Sequence, residues 1–474
     1  MVRYGLDFGT TNSSICLSQG RDSSLVPIDK AAGDPRVIPS ALYFSRRDLV
    51  YSKTVSEAQK QKQEFDIDQI KWEGEMKYLI GTEAVNRYLA DHKHRQPGVL
   101  RRIYTGKLIE LILWNDPYSG KVHKGKIPEV LEELDFGTGR LMHALKSALR
   151  SPFYKGTNIF GKYMTLEEMI GFFLSKVRKA ANGEVGEEID AVTVGRPVHF
   201  HSDPSRDKAA ENRLLDGVKM AGFKDIKFEY EPVGAAKYFL RKFGLKSQKI
   251  LVFDFGGGTL DTTVMDADNR VLATDGVYVG GDLLNSDVFE AKLANYFGKN
   301  VTWGNAKFTV PIHIFEQLKS WYGIINLNNP SEMGILEEVK RSCSDPIAID
   351  RLIYLIRTNL GFEIYQAIEN AKKDLSQHES ARILFTDGSI NIDLEITREE
   401  FEKLIGPRID ETKRTVERTL KSAGLEPDEI GAVVRTGGSS LMPIVERMLE
   451  DMFGKEKVQM FDPFTSIAAG LALE

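Results

Sequence analysis

Two cysteines in 474 residues, Cys16 and Cys343, are too few for a disulfide framework, and nothing near either stands at metal-ligand spacing. A reduced, cytoplasmic setting is the expectation. No charge of one sign dominates: 63 basic against 68 acidic side chains leave a formal −5, which offers no electrostatic footprint for nucleic acid or an anionic membrane. Neither partner is expected. No apolar run reaches the length of a membrane span, and the chain enters a strand close to Met1 without a signal-peptide core, so Met1 is the expected start of the mature protein. The familiar nucleotide signatures are also missing. There is no G-x-x-x-x-G-K-[ST], and no G-x-G-x-x-G follows a strand, which excludes P-loop and dinucleotide folds.

A hydrophobic content of 42% excludes wholesale disorder, and the length suits two to four packed subdomains. Val2 to Phe8 reads as a strand ending in Gly9, and Ser14 to Ser18 as a second strand after the polar turn Thr10-Thr11-Asn12. The same plan returns near the middle of the chain, where Lys249 to Phe253 and Leu260 to Met265 flank DFGGGT. Such a widely spaced repeat predicts two similar lobes with a cleft between them. Strand 189–198, helix 207–221, strand 226–229 and the segment EPVGAAKYF alternate as an α/β lobe requires. Polar, lysine-rich stretches at 51–69 and 119–126 read as insertions or surface loops. Apolar spacing predicts one long helix over 353–377, and Thr397 with Glu400 a capping box opening another, bent at Pro407. Strand 429–435, the turn TGGSS, helix 441–453 and a last helix from Thr465 complete the chain.

Glycine-rich strand-turn-strand units aim several backbone N–H groups at one point and let the main chain approach a phosphate without a Cβ clash. DFGTTNS and DFGGGTLD both fit. Their aspartates would repel a bound triphosphate by roughly 4 kcal/mol per pair at about 4 Å and an effective dielectric near 20, so a cation must lie between. Mg²⁺, which keeps its waters and bridges phosphate oxygens, is the expected ion, with Asp7, Asp254 and Asp261 orienting those waters.

YGLDFGTTNS, VFDFGGGTLD and VVRTGGSSLMP resemble the two phosphate motifs and the adenosine motif of the actin, hexokinase and heat-shock ATPase superfamily. Within it, EPVGAA, ENAKKDLS and GGSSLMP point to the DnaK-type, 70-kDa heat-shock chaperones, and IPSALYF, YLIGTEA, VGRPVHF and GGDLLNSDVF continue the likeness. Short divergent members of the YegD type are the suggested subgroup. The resemblance implies an α/β actin-like ATPase with two ribonuclease-H-like lobes, expected over 1–245 and 246–474. The first carries an inserted subdomain and the second a divergent outer subdomain over about 299–395.

It also implies ATP or ADP with Mg²⁺, and K⁺ as a further ion. Asp7 and Asp254 would face the metal, and Gly9, Thr10, Thr11 and Asn12 the phosphates. Gly256, Gly257, Gly258 and Thr259 would contact the γ-phosphate, with Gly280, Gly281 and Asp282 beside them. Glu369, Lys372, Lys373 and Ser376 share one helix face toward the adenosine, joined by Gly437, Gly438, Ser439 and Ser440. Asp261 would order the attacking water, Lys146 be the catalytic lysine, with Lys124 and Lys126 as rivals, and Glu231 and Pro197 couple hydrolysis to lobe motion.

Leu441 stands where many relatives carry an adenine-stacking arginine, and the chain stops four residues after Gly470, so no peptide-binding domain is expected. The expected function is a slow Mg²⁺-ATPase acting as a conformational switch on a protein client or co-chaperone. A small-metabolite kinase and a nucleotide-dependent scaffold or filament protein are the alternatives.

Overall fold

The computed structural model describes residues 2–20, 22–45, 51–53, 70–72, 77–92, 99–115, 121–135, 139–151, 154–160, 162–243, 248–321, 323–462 and 464–473. Each glycine-rich hairpin is the centre of a larger sheet. Tyr4–Phe8 (β1) pairs antiparallel with Asn12–Gln19 (β2), placing Asp7 opposite Ser14, and Asp22–Leu25 (β3) extends the outer edge. β1 is buried along its whole length, as a strand covered on both faces must be. Its other edge pairs in parallel with Ala191–Arg196 (β4), which pairs in parallel with Asp225–Tyr230 (β5).

Helices Leu166–Val185 (α1) and Pro204–Met220 (α2) lie between these parallel strands in the chain. α1 opens on a full capping box that the sequence reading passed over. Thr165 Oγ1 accepts from the Glu168 N–H (3.1 Å) while the Glu168 carboxylate accepts from the Thr165 N–H (2.8 Å).

Helix Glu231–Phe243 (α3) leads into the second sheet. Lys249–Phe255 (β6) pairs antiparallel with Leu260–Met265 (β7), which carries Val271–Val277 (β8) at the edge. Ile430–Thr436 (β9) lies parallel to β6, and Val458–Met460 (β10) parallel to β9. The two sheets have the same strand order, β3-β2-β1-β4-β5 and β8-β7-β6-β9-β10. The repeat seen as two hairpins is therefore a repeat of whole sheets, and the molecule is the two-lobed α/β fold of actin-like ATPases. Around the second sheet lie Gly361–Leu375 (α4), Arg398–Ala423 (α5) and Pro443–Phe453 (α6), in one continuous core with the outer helices Ile312–Leu318, Pro330–Ser342 and Pro346–Thr358.

The last helix, Ser466–Leu471 (α7), crosses α3 at backbone distance. A Cβ on Gly470 would stand 1.7 Å from the Gly234 carbonyl oxygen, so only glycine permits the crossing. Val233, Ala235, Ala236, Phe239, Ile467 and Leu471 close a small core there with Ile250 and Val252 of β6.

The expected helix over 353–377 is two helices, because Asn359 adopts the left-handed conformation (φ 51°) and its N–H turns back to the Ile356 and Leu355 carbonyls, capping the first. Within 119–126, Val122 to Lys126 are not loop. They open the strand Val122–Asp135, paired with Val99–Asn115, where Lys124 meets Glu110 at 3.1 Å. Of the stretch 51–69 only Tyr51–Lys53, paired with Ile70–Trp72, lies among the described residues. Thr397 caps α5 by accepting from the Glu400 N–H (3.1 Å), but the Glu400 carboxylate goes to Lys292 (2.6 Å) instead of back to Thr397. Pro407 sits inside α5 without ending it. Among the described residues no helix is long and apolar enough to cross a membrane.

Candidate functional site

The turns that follow β1, β6 and β9 face one cavity of about 570 Å³ between the lobes. The first turn is braced from behind by the IPSALYF segment. Ser40 Oγ donates to the Gly9 carbonyl (2.7 Å) and lies 2.8 Å from Ser13 Oγ, and the Ser40 N–H donates to the Thr11 carbonyl (2.8 Å). The second turn is closed by the Gly256 N–H on the Thr259 carbonyl (2.9 Å). It is held by the Gly281 and Asp282 N–H groups, which donate to the carbonyls of Gly256 (3.1 Å) and Gly257 (2.8 Å). Side chains on Gly257 or Gly280 would collide with Thr11 Oγ1 (2.6 Å) and the Gly257 carbonyl (2.5 Å), so the turns can approach only as glycine. Gly437, at φ 79°, begins the third turn against Phe255.

The inner end of the cavity is densely charged. Asp7, Lys146, Glu231 and Asp254 all line it, each buried, and Lys146 Nζ is hydrogen-bonded to Glu231 Oε1. Burial, then the Glu231 charge, pushes Asp7 up to about 7; burial, Glu231, Asp261 and Asp7 together hold Asp254 well above the usual carboxylate range. Asp261 is pushed to about 7 by burial and Glu231, against hydrogen bonds from Thr259 and the Val198 N–H that lower it. For Lys146, burial alone would lower the pKa, but Glu231, Asp7 and Asp261 outweigh it and raise it. The cluster is short of positive charge.

The helix face expected to meet the adenosine does line the cavity: Glu369, Lys372, Lys373 and Ser376 come from the end of α4. Lys372 Nζ bridges Glu369 (2.6 Å) and the Gly281 carbonyl (3.2 Å), and Asn285 Nδ2 donates to Glu369 (2.9 Å). These partners hold Glu369 low in spite of burial, whereas burial lifts Asp282 to about 6. Gly9, Thr10, Thr11, Asn12, Pro197, Gly256, Gly257, Gly258, Thr259, Gly281, Asp282, Gly437, Gly438 and Ser439 also lie on the wall.

Asp261, Gly280 and Ser440 stand one layer behind. Asp261 Oδ1 accepts from the Val198 N–H across the lobes (2.8 Å), and Ser440 Oγ donates to the Gly437 carbonyl (2.7 Å). Lys124 is remote, in the outer hairpin, as is Lys126 opposite Glu110.

Two arginines were missed. Arg196, at the end of β4, donates to the carbonyls of Pro197 (3.1 Å) and Val198 (3.3 Å) and pairs with Asp207 (2.7 Å) and Glu211, so it fixes the segment that reaches Asp261. Arg150, four residues after Lys146, donates to the Gly258 carbonyl (3.2 Å) and lies over the Tyr278 ring (4.9 Å). An arginine beside a proline or after a short helix carries no local sign that it will be turned inward.

The Hsp70 protein family model matches residues 149–306 and 358–474. The chain belongs to the Hsp70 family. Residues 307–357, between the matched parts, lie wholly within the 299–395 stretch expected to diverge, and the match begins just after Lys146. The chaperone protein DnaK of Mycoplasmopsis pulmonis (strain UAB CTIP) is 28% identical over 324 residues, covering 66% of this chain and 45% of that protein. The chaperone protein DnaK of Cenarchaeum symbiosum (strain A) is 26% identical over 324 residues, covering 66% and 41%. This Hsp70-family chain thus spans less than half the length of these curated relatives.

Proposed function

We propose that this Hsp70-family chain, one of the short YegD-type branch, binds Mg²⁺–ATP in the cleft and hydrolyses it slowly to ADP and phosphate. The difference between the two states drives a change in lobe position that a protein partner reads. Lobes over 1–245 and 246–474 carry the two phosphate turns. The reading rests above all on one observation: Gly9–Asn12 and Gly256–Thr259 confront each other over buried carboxylates that a single lysine does not balance.

That imbalance is the test of fit for the metal. Asp7, Asp254, Asp261 and Glu231 around Lys146 give the site more carboxyls than cations; the raised pKa values of the three aspartates show that protons make up the balance, and a bound cation would take the place of those protons. Among the described residues no three metal-ligating side chains are grouped as a direct cage would need. The donor set therefore suits an ion that retains its waters, as Mg²⁺ does, with Asp7 and Asp254 as hydrogen-bond acceptors for them. When bound, Mg²⁺ neutralises charge developing on the phosphate oxygens.

The chain's own groups supply the rest. Backbone N–H groups of the two turns hold the phosphates. Lys146, kept in place by Glu231, contributes positive charge where the γ-phosphate loosens. Asp261, behind the cavity wall and hydrogen-bonded to the Val198 N–H and to Thr259, helps order the attacking water through Thr259, which does line the cleft. Because Asp261 is bonded to the residue after Pro197, and Glu231 begins α3, loss of the γ-phosphate would be felt both at the switch segment and at the crossing helices.

Mg²⁺-dependent nucleotide binding and single-turnover hydrolysis, comparing the unmodified chain with Asp7→Asn, Lys146→Ala and Asp254→Asn, test the proposal. Binding and turnover that need Mg²⁺ and fall in the aspartate variants, with Lys146→Ala losing turnover by about 10²-fold or more at retained affinity, are expected. Tight binding without any cleavage would sink the hydrolase.

A further inference from the structure

The outer end of the cavity is chemically unlike the inner end. Leu441 and Phe464 both line it, and each is 40% exposed, although both sit on turns whose backbones are tightly held. Ser14 Oγ of the first lobe donates to the Phe464 carbonyl (3.0 Å), and the Phe464 N–H donates to Asp462 (3.3 Å). The ring lies against the third turn, where a Cβ on Gly438 would stand 3.4 Å from its Cε1. Met442 and Ile467 continue the apolar floor. A fixed aromatic ring facing solvent within a cleft is a platform for a planar group.

Among the described residues, the side-chain hydroxyls at this end have their single proton committed, which leaves only acceptor lone pairs to read a base edge. Ser439 Oγ already donates to the Gly256 carbonyl (2.8 Å) and Ser440 Oγ to the Gly437 carbonyl (2.7 Å). Ser376 Oγ donates to the Lys372 carbonyl (3.5 Å), while Lys373 and Gln377, on the opposite wall, are exposed. Strong rejection of a wrong base needs a buried donor or acceptor that the wrong base strands; stacking and apolar contact alone discriminate weakly, because every base has a π face.

We propose that Leu441 and Phe464 form a base slot that holds purines by stacking and shape, so that the cleft accepts guanine nucleotides nearly as well as adenine nucleotides. This rests on the reading of the cleft as a nucleotide site, and it makes Phe464 a specificity-determining residue. Pyrimidines, with less area to stack, bind less well.

Displacement of a fluorescent ADP analogue from the intact chain in Mg²⁺, by ATP, GTP, CTP and inorganic tripolyphosphate, is the test. The slot predicts ATP and GTP affinities within about tenfold of each other, with CTP weaker than both. In Phe464→Ala both purine nucleotides weaken alike, by about tenfold or more, while tripolyphosphate is unaffected. ATP binding tightly with GTP weaker by about 10³-fold or more would overturn the slot and leave the nucleotide reading intact. Equal loss of tripolyphosphate in Phe464→Ala would also overturn it, since the ring would then be shaping the whole cleft. Failure of the unmodified chain to bind any nucleotide would overturn both readings.

Discussion

Gly470→Ala tests the backbone-to-backbone crossing of α3 and α7. The new methyl would lie 1.7 Å from the Gly234 carbonyl oxygen and 2.4 Å from the Gly234 carbonyl carbon. Ordinary contact requires about 3.5 Å, so α3 and α7 must part by roughly 1.5–2 Å. Both obstructing atoms are backbone and neither can rotate away. Separation also loosens Val233, Ala235, Ala236, Phe239, Ile467 and Leu471, which close the core at the crossing. Overpacking usually costs about 1–3 kcal/mol, and with no side chain free to yield the upper end applies. At roughly 2–4 °C per kcal/mol for a lobe of this size, the melting midpoint should fall by about 6–12 °C.

Because α3 begins at Glu231 and Ile467 of α7 lines the cavity, nucleotide affinity should fall with it. Differential scanning fluorimetry with and without Mg²⁺–ATP reads both effects. Gly183→Ala in α1, where a Cβ meets open space, is the control and should be neutral or stabilising by up to about 1 kcal/mol. A Gly470→Ala chain melting within about 1 °C of the unmodified protein would refute the close crossing.

Arg196→Lys should cost about 1–3 kcal/mol in thermal or denaturant unfolding, because an ammonium keeps the charge but cannot span Asp207, Glu211 and the carbonyls of Pro197 and Val198 at once. Its single-turnover rate should fall further than its nucleotide affinity, since Val198 positions Asp261. Ser40→Ala removes the buried donor to the Gly9 carbonyl and should lose about 1–3 kcal/mol of stability, with weaker binding of ATP and tripolyphosphate alike. His143, edge-on to Trp321 (5.8 Å) and Phe362 (6.0 Å) with Nδ1 lacking a hydrogen-bond partner, is pushed down to about 4 by burial. Its folded value lies below the ordinary one, so its contribution is complete above about pH 6.5 and is lost as pH falls toward 4, by on the order of 2–3 kcal/mol. His143→Phe should flatten the unfolding free energy across that window.

What was legible in the sequence was local. Aspartate at a strand end followed by glycines fixes a turn whatever surrounds it, so the strands on either side of DFGTTNS and DFGGGTLD were read within about two residues. The break at Asn359 was not legible, because Leu360, Ile364 and Ile368 continue the spacing of Ile353 and Ile356 as if one helix ran through; all five are core residues, in two helices and the turn between them. Arg196 and Arg150 were passed over for a related reason. Their partners Asp207, Glu211 and Gly258 lie 11, 15 and 108 residues away, and a charged side chain next to a strand end looks solvated until the fold closes around it. Phe464 escaped notice because aromatic residues normally signal core, whereas here the ring faces the cleft.

The distribution of contacts between the lobes bears on how a ligand can move them. At the crossing of α3 and α7, and at the roof where Tyr88 and His143 meet Phe362, the contacts are chiefly apolar ones that a phosphate cannot enter. Between these ends the links are polar: Val198 N–H to Asp261, Arg150 to the Gly258 carbonyl, Ser14 to the Phe464 carbonyl. A ligand shifts an equilibrium only by its differential affinity for the two states. Polar groups in the cleft are the ones whose partners a phosphate, a water or a base can exchange, and they belong to the turns and strand ends that line the cavity or stand directly behind it. The fold therefore keeps its apolar contacts as pivot and cover, and places the exchangeable ones where nucleotide chemistry would change them.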